Sequence, residues 1–157
     1  LDYKGFDFST YFQGVGSRDY WAYGNVAIPS GMSALDAIFT HQTDYWTPQN
    51  TDAFYPRPTD HNWVSDGQNF KIQDRYLSDM SYLRCKNITL GYSLPKNLLK
   101  KIDFQKVRVY FSAENMFTWD NMHLPVDPET TSWKGAWAFG RSYPYMKTVS
   151  FGVQAVF

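Results

Sequence analysis

The residues that could do chemistry are scattered along this sequence. The histidines His41, His61 and His123 lie far apart, and none has a partner at the spacing of zinc ligands. We therefore expect surface side chains rather than metal ligands. Serine, histidine and aspartate are all present, but no Gly-x-Ser-x-Gly turn exposes a nucleophile. The sequence predicts no catalytic residue and no enzyme.

The acidic residues Asp127 and Glu129, with Asp120 nearby, are the candidates for a cation site. Their carboxylates could offer oxygen ligands to calcium. Asp127 directly precedes Pro128, however, and aspartate before proline initiates turns without any ion. A turn is the favoured interpretation, so neither a metal nor a cofactor is predicted.

A set of tryptophans and tyrosines falls between the regular segments of the sequence. Such rings can stack on sugars or anchor protein interfaces. Long rigid loops also need a small core of their own, which aromatic rings can supply. Packing within the loops is the favoured interpretation, and contact with a partner or with substrate stays open. The set is Tyr20, Trp21, Tyr23, Tyr45, Trp46, Trp63, Trp133 and Trp137.

Composition excludes several classes of protein. Fifteen basic and fifteen acidic residues balance, so nothing in the net charge favours nucleic acid. Cys85 is the only cysteine, which rules out an intrachain disulfide. No run of about 18 apolar residues predicts a transmembrane helix, although barrel strands escape such a search. The sequence opens without a signal peptide, which suggests either a mature fragment or the C-terminal part of a longer protein.

Four segments alternate apolar and polar residues, at about 3–14, 82–94, 106–118 and 147–157. A period of two predicts strands with one apolar and one polar face. On the third segment, the polar face carries Arg108, Tyr110 and Glu114. A soluble β-sandwich would show the same local pattern.

The connections between these segments differ in length. The second and third segments are separated by a short connection, whereas residues 15–81 and 119–146 form two long ones. Short turns on one side and long loops on the other are typical of an outer-membrane barrel, with the short turns in the periplasm. A closed barrel needs at least about eight strands, so we expect either that the chain oligomerises or that the rest of the barrel lies outside this sequence.

The last segment alternates up to its final residue. Val149, Phe151, Val153 and Phe157 share its apolar face. Its length suits a tilted strand that crosses a bilayer in roughly 9–11 residues. An unpaired edge strand is a liability in water, and barrel closure removes it. We therefore expect this strand to pair with one outside the sequence.

Several motifs carry a resemblance to a known family. Residues 81–95 read SYLRCKNITLGYSLP and residues 107–119 read VRVYFSAENMFTW. YWTP at 45–48, YPR at 55–57 and DPE at 127–129 accompany them. In order and spacing, these motifs resemble the last part of SusC/RagA-type TonB-dependent transporters of Bacteroidetes. Cys85, where that family has an aliphatic residue, and Ala113, where it has glycine, are departures.

The resemblance implies an outer-membrane barrel of about 22 strands with an N-terminal plug. This sequence would supply the final four antiparallel strands, two extracellular loops and a short periplasmic turn, while the plug matches nothing here. The implied partners are the rest of the barrel and its plug, membrane lipid, a SusD-like surface lipoprotein, and TonB-ExbB-ExbD acting through the absent N-terminal part. The implied activity is import of glycans or oligopeptides, with the C-terminus in the periplasm.

The resemblance also suggests roles for particular residues. Arg108, Tyr110 and Glu114 would face the barrel lumen. Val149, Phe151, Val153 and Phe157 would form the terminal signal for barrel assembly. The loop aromatics would contact substrate or the lipoprotein lid. The alternative is a secreted all-β glycan-binding module whose aromatic loops carry the site.

Overall fold

The structure is a computed structural model, which describes residues 1–22, 26–28, 37–58, 71–100, 104–130, 140 and 142–157. Its strands are β1 (Asp2–Tyr3), β2 (Phe6–Val15), β3 (Asp19–Trp21), β4 (Leu77–Asp79), β5 (Tyr82–Ser93), β6 (Lys106–Asp120) and β7 (Thr148–Val156). One unit comprises Leu1–Gly16, Tyr82–Asp120 and Tyr145–Phe157, and the other comprises Ser17–Ser81 and Asn121–Pro144. The prediction of an all-β chain with antiparallel strands is confirmed.

The first unit is a five-stranded antiparallel sheet in the order β1-β2-β5-β6-β7. The four predicted segments correspond to β2, β5, β6 and β7, and β6 continues to Asp120. This sheet does not close on itself: among the described strands, β7 pairs only with β6. We call this unit the barrel sheet from here on.

A tight turn separates β1 from β2, so the long strand predicted over about 3–14 begins only at Phe6. Lys4 (φ 47°) and Gly5 (φ 89°) both lie in the left-handed region. Two such residues form the hairpin turn whose twist matches that of the flanking strands. The turn pairs Tyr3 with Phe6 on the same face, so the alternation that starts at Phe6 does not extend back to Tyr3 as the sequence predicts.

A bulge interrupts β5 and β6. Cys85 pairs with Phe117 and Asn87 with Glu114, so Lys86 stands opposite two residues, of which Asn115 has a φ of 53°. The same Lys86 is the extra residue against β2, where Phe12 pairs with Cys85. The bulge shifts the alternation of β5, which places Cys85 on the apolar face.

The apolar face of the barrel sheet is continuous across its strands. Phe8, Leu90, Phe111 and Phe151 follow one another in register from β2 to β7. The rings of Phe111 and Phe151 have centroids 5.1 Å apart. Phe151 is nevertheless 81% exposed, as no second layer of described residues covers this face. Cys85 is buried between Phe12 and Phe117 because its side chain is the smallest of the three.

The short connection between β5 and β6 contains a single helical turn, α1 (Lys96–Leu99), which follows Pro95. Proline at this position suits a helix start because its missing N–H would be unsatisfied there. Leu99 is buried and anchors the turn. In the described part of the chain, no helix is long and apolar enough to span a membrane.

The second unit contains regular structure within the two segments that the sequence predicts as long loops. β3 and β4 pair antiparallel, with Tyr20 opposite Ser78. Short 3₁₀ helices lie at Thr40–Gln42 and Asp74–Tyr76. A small core holds this unit together, and its buried members are Ala22, Ala27, Ile28 and Leu124. We call this unit the loop unit.

Candidate functional site

The polar face of the barrel sheet carries a guanidinium–carboxylate pair. Arg108 Nε donates to Asp7 Oδ2 at 2.8 Å, and Nη2 forms a second bond with Oδ1. These residues belong to β6 and β2, with β5 between them. The two parallel bonds match the fork geometry that makes arginine–carboxylate pairs directional. This pair therefore braces three strands of the sheet.

Glycines make room for this pair and for Tyr110. Asp7, Gly91, Tyr110 and Gly152 form one row in register across the strands. A Cβ on Gly91 would overlap the Asp7 carboxylate and the Arg108 guanidinium, and one on Gly152 would overlap the Tyr110 ring. The guanidinium carbon of Arg108 also lies 5.1 Å from the Tyr110 ring centroid. Arg108 and Tyr110 thus lie flat over the polar face.

Glu114, the third residue predicted on this face, stands apart from the pair. It is exposed and lies in register between Asn87 on β5 and Thr148 on β7. Below it, Asn87 Nδ2 donates to Ser112 Oγ at 3.3 Å, and Thr89 Oγ1 donates to Asn87 Oδ1 at 3.0 Å. The structure therefore places all three predicted residues on the polar face but joins only Arg108 and Tyr110.

The residues predicted as a terminal signal lie on the apolar face of β7, except Phe157, which lies beyond the end of the strand. Val149 and Val153 pair with Ala113 and Val109, which places them in the same rows as Phe151. β7 ends at Val156, so Phe157, which the sequence places within the strand, lies just beyond the end of the observed strand. Its ring contacts Phe104, with centroids 4.8 Å apart, and is 80% exposed.

In the loop unit, Asp44 closes a loop that presents Tyr45 and Trp46. Its Oδ1 accepts from Asn50 Nδ2 at 2.9 Å, and Oδ2 accepts from the N–H of Phe54 at 3.0 Å. These bonds, the side-chain amide of Asn50 first, lower the pKa of Asp44 below its usual value. The backbone of Trp46 donates to Tyr55 O at 3.0 Å, which ties the two sides of the loop together.

A cavity of about 450 Å³ opens beside this loop. Its aromatic wall is formed by Phe54, Tyr55 and Tyr76, and the rings of Tyr55 and Tyr76 are stacked at 6.2 Å. Burial raises the pKa values of both tyrosines, so their hydroxyls stay protonated at neutral pH. We call this space the loop cavity; its lining also includes Trp46, Arg57, Gln73 and Arg75.

The sequence gives no direct signal for Arg57, Gln73 and Arg75 as partners. Arg57 is visible only as the last letter of the YPR motif, and Arg75 lies in a segment without periodicity. These three side chains come close together because the loop closed by Asp44 packs against the residues just before β4, which are distant from it in the sequence. Such contacts cannot be found from local pattern alone.

The other predicted aromatics divide into two groups. Tyr20 and Trp21 lie on β3 and pack against the buried cluster of the loop unit, as the packing interpretation expects. Tyr45 and Trp46 belong to the loop that Asp44 closes, and Trp46 is 36% exposed. Tyr23, Trp63, Trp133 and Trp137 lie outside the described residues.

The acidic segment near the end of the loop unit forms a turn. Asp127 Oδ1 accepts from the N–H of Glu129 at 2.9 Å, and Thr130 N donates to Asp127 O at 3.2 Å. This geometry agrees with the turn interpretation of the Asp-Pro sequence. Within the described ranges, no three histidine, cysteine, aspartate or glutamate residues lie close enough to hold a metal. His41 Nε2 contacts Val26 O at 2.7 Å, a structural contact.

Known proteins share sequence similarity with this chain, although no protein-family model matches it. The chain is 35% identical over 152 residues to the TonB-dependent receptor SusC of Bacteroides thetaiotaomicron, covering 96% of the chain. It is 33% identical over 129 residues to TonB-dependent receptor P3 of Formosa agariphila, covering 82% of the chain. The chain belongs to the SusC/RagA-type TonB-dependent receptors.

The solved structures agree with this assignment at the level of the fold. The chain superposes on the RagAB peptide transporter with a TM-score of 0.67 and 22% identity, over 98% of the chain. It also matches the RagAB peptide importer in its closed-closed state, with a TM-score of 0.66 and 23% identity. The receptor segment spans only 12–16% of the length of these relatives and structures.

Proposed function

We propose that this receptor segment forms the C-terminal part of the wall of an outer-membrane nutrient importer. The observation that carries the proposal is the two-faced barrel sheet. Its apolar face is continuous and exposed, while its polar face holds the Asp7–Arg108 pair and Tyr110. A barrel wall needs this arrangement because one face meets lipid and the other meets the lumen.

In this proposal Arg108, Tyr110 and Glu114 face the lumen. The Asp7–Arg108 pair is shared between β2 and β6, so it stabilises the wall rather than reacting with substrate. Glu114 is exposed on the same face and is free to meet the plug or a passing solute. No residue of the segment has a catalytic role in this account.

The short connections support a periplasmic C-terminus. Ser93 N donates to Gly5 O at 2.7 Å, which brings the β1–β2 turn to the end of β5 where the connection to β6 begins. Gln105 N donates to Val156 O at 2.9 Å, so the end of β7 lies on that side too. In outer-membrane barrels, short turns lie in the periplasm and long loops outside the cell.

The partners follow from this placement. The rest of the barrel and its plug complete the wall, lipid covers the apolar face, and TonB-ExbB-ExbD supplies energy through the plug-bearing part. A SusD-like lipoprotein closes the outside, in line with the likeness to SusC and RagAB. Val149, Phe151, Val153 and Phe157 act as the terminal assembly signal, which their exposure on and beyond β7 allows.

The substrates we propose are glycans or oligopeptides, and the loop aromatics contact them or the lid. Trp46 and Tyr45 are the described candidates, while Tyr20 and Trp21 support the loop unit from its core. Tyr23, Trp63, Trp133 and Trp137 are candidates on the sequence alone. The alternative, a secreted glycan-binding module, does not account for the exposed apolar face of the barrel sheet.

Uptake by cells tests the proposal. Cells that carry the full-length receptor and its lipoprotein would be offered fluorescent oligosaccharides and oligopeptides, beside cells lacking the receptor and cells lacking TonB. We expect one class of oligomer to accumulate only when both receptor and TonB are present. Equal accumulation in all three strains would contradict the proposed import function.

A further inference from the structure

We propose that the loop cavity binds the acidic group of an anionic oligosaccharide, a carboxylated or sulfated sugar. This inference rests on the proposed function, because it names a substrate class for the same importer. The loop cavity has about 450 Å³, within the range of roughly 300–1,000 Å³ that small-molecule sites occupy. Its walls combine aromatic rings with polar side chains, as such sites require.

Charge at the loop cavity favours an anion. Arg57 and Arg75 both line it, and no aspartate or glutamate is among the described residues of its lining. Arg57 is exposed, and no ion-pair partner for it occurs in the described part of the chain. Guanidinium groups recognise carboxylates and sulfate-like anions through paired N–H donors. Asp44 lies outside the lining, and its carboxylate interacts with the charge of Arg75. That carboxylate accepts hydrogen bonds from Asn50 and Phe54, so the guanidinium groups in the lining remain available to an anionic ligand.

Arg75 is held in position for this role. Its Nη2 donates to Ala53 O at 2.9 Å, and its guanidinium carbon lies 6.0 Å from the Phe54 ring centroid. One of its five N–H donors is thereby engaged within the described residues, and the others can reach a ligand. Preorganisation of this kind reduces the entropy that binding costs.

The remaining lining favours a sugar over an acidic peptide. Trp46 offers a flat ring to the loop cavity, and its backbone bond to Tyr55 O at 3.0 Å fixes the loop segment that carries it. The Thr51 hydroxyl and the Gln73 amide supply donors and acceptors beside it. A ring face flanked by such groups matches the alternating C–H faces and hydroxyls of a pyranose.

The test compares matched ligands on the full-length receptor, purified in detergent with its lipoprotein partner. Calorimetry would measure binding of a galacturonate hexamer, its fully methyl-esterified form, a sulfated carrageenan hexasaccharide and a hexaglutamate peptide. We expect the two acidic saccharides to bind, and the uncharged ester to bind at least about tenfold more weakly, because it cannot pair with the guanidinium groups.

Variants locate the effect. Arg57→Gln should weaken binding of the galacturonate hexamer about tenfold or more, and Arg57→Lys should lie between it and the wild type. Lys71→Gln removes a charge from the same loop unit at an exposed position outside the lining, and it should leave binding unchanged. Arg75→Gln serves as a second variant if Arg57→Gln prevents assembly of the barrel.

Four results of these binding measurements would overturn the inference. In the first two, neither acidic saccharide binds, or the acid and its ester bind equally. In the other two, Arg57→Gln and Lys71→Gln weaken binding equally, or hexaglutamate binds as tightly as the galacturonate hexamer. The uptake experiment separates this failure from failure of the proposed function. TonB-dependent uptake of a neutral oligomer would still support the proposed import function. Absence of uptake of any oligomer would contradict both the import function and this inference.

Discussion

At the scale of single residues, glycines provide the space in which large side chains lie across the polar face of the barrel sheet. Gly91 lies beneath the Asp7–Arg108 pair, and Gly152 lies beneath the Tyr110 ring. A side chain at either position would displace its neighbour from the polar face. The sequence showed that Arg108 and Tyr110 share a polar face, but it could not show that Arg108 reaches across β5 to Asp7.

The Asp7–Arg108 pair gives a residue-scale prediction. Asp7→Asn and Arg108→Gln should each lower the temperature at which the full-length barrel loses its compact, fast-migrating form on a gel, since each leaves the other partner uncompensated. The double variant should be less destabilised than the two single effects added together.

Ser112→Ala, on the same polar face of β6 but away from the pair, serves as the comparison for this cycle. Strict additivity of the two single variants would contradict a direct interaction between Asp7 and Arg108.

Asp44 gives a prediction about pH. Its lowered pKa means that its hydrogen bonds stabilise the loop fully above the ordinary carboxyl pKa near 3.8, and that this stability is lost as pH falls through the folded value. We expect the peptide spanning residues 44–55 to lose protection from hydrogen exchange as pH falls from about 5 to below the ordinary carboxyl pKa of 3.8, after correction for intrinsic rates.

The matched variants are Asp44→Asn and Asp52→Asn. Asp44→Asn should abolish this pH dependence, because an amide does not titrate in that window. Asp52→Asn removes an exposed carboxylate from the same loop and should retain it. An unchanged pH profile in Asp44→Asn would show that another group controls the loop.

At the scale of elements, alternation was enough to predict β2, β5, β6 and β7, because each is long and has one apolar face. It failed where pairing partners or turn geometry decide. The Lys4–Gly5 turn reverses the chain inside the first predicted segment and pairs Tyr3 with Phe6, and β3 pairs with β4 across a long stretch of sequence. The bulge at Lys86 shifts the faces of β5 without any local signal in composition.

Asn115 gives the element-scale prediction, since its left-handed backbone forms the bulge of β6. Asn115→Ala should destabilise the barrel by about 1–2 kcal/mol, because an alanine is strained in this region. Asn115→Gly should cost less, although both variants lose the bond from Asn115 Nδ2 to Met146 O at 3.2 Å.

Thermal unfolding of the full-length receptor measures this difference. Because both variants lose the same hydrogen bond, the gap between them isolates the strain of the backbone. Equal stability of the alanine and glycine variants would contradict a role for the bulge geometry at Asn115.

At the scale of the whole molecule, the segment spans 12–16% of the length of its relatives. The incompleteness of the barrel could be predicted from the number of strands. The candidate site could be predicted only in part: Tyr45 and Trp46 stand out as loop aromatics, but Arg57 and Arg75 gain meaning only when the fold brings them together.

The central claim is that one face of the barrel sheet meets lipid and the other meets water. Site-directed spin labelling tests it on full-length receptor in lipid vesicles, in a Cys85→Ala background. Labels would be placed at Phe151→Cys and Val153→Cys on the apolar face, and at Ser150→Cys and Gln154→Cys on the polar face. The readout is collision of each label with oxygen, which concentrates in lipid, and with a water-soluble nickel complex.

We expect oxygen to dominate at positions 151 and 153 and the nickel complex to dominate at 150 and 154, because side chains alternate between the faces of a strand. Equal access of the nickel complex to all four positions, or an inverted pattern, would contradict the membrane-spanning wall.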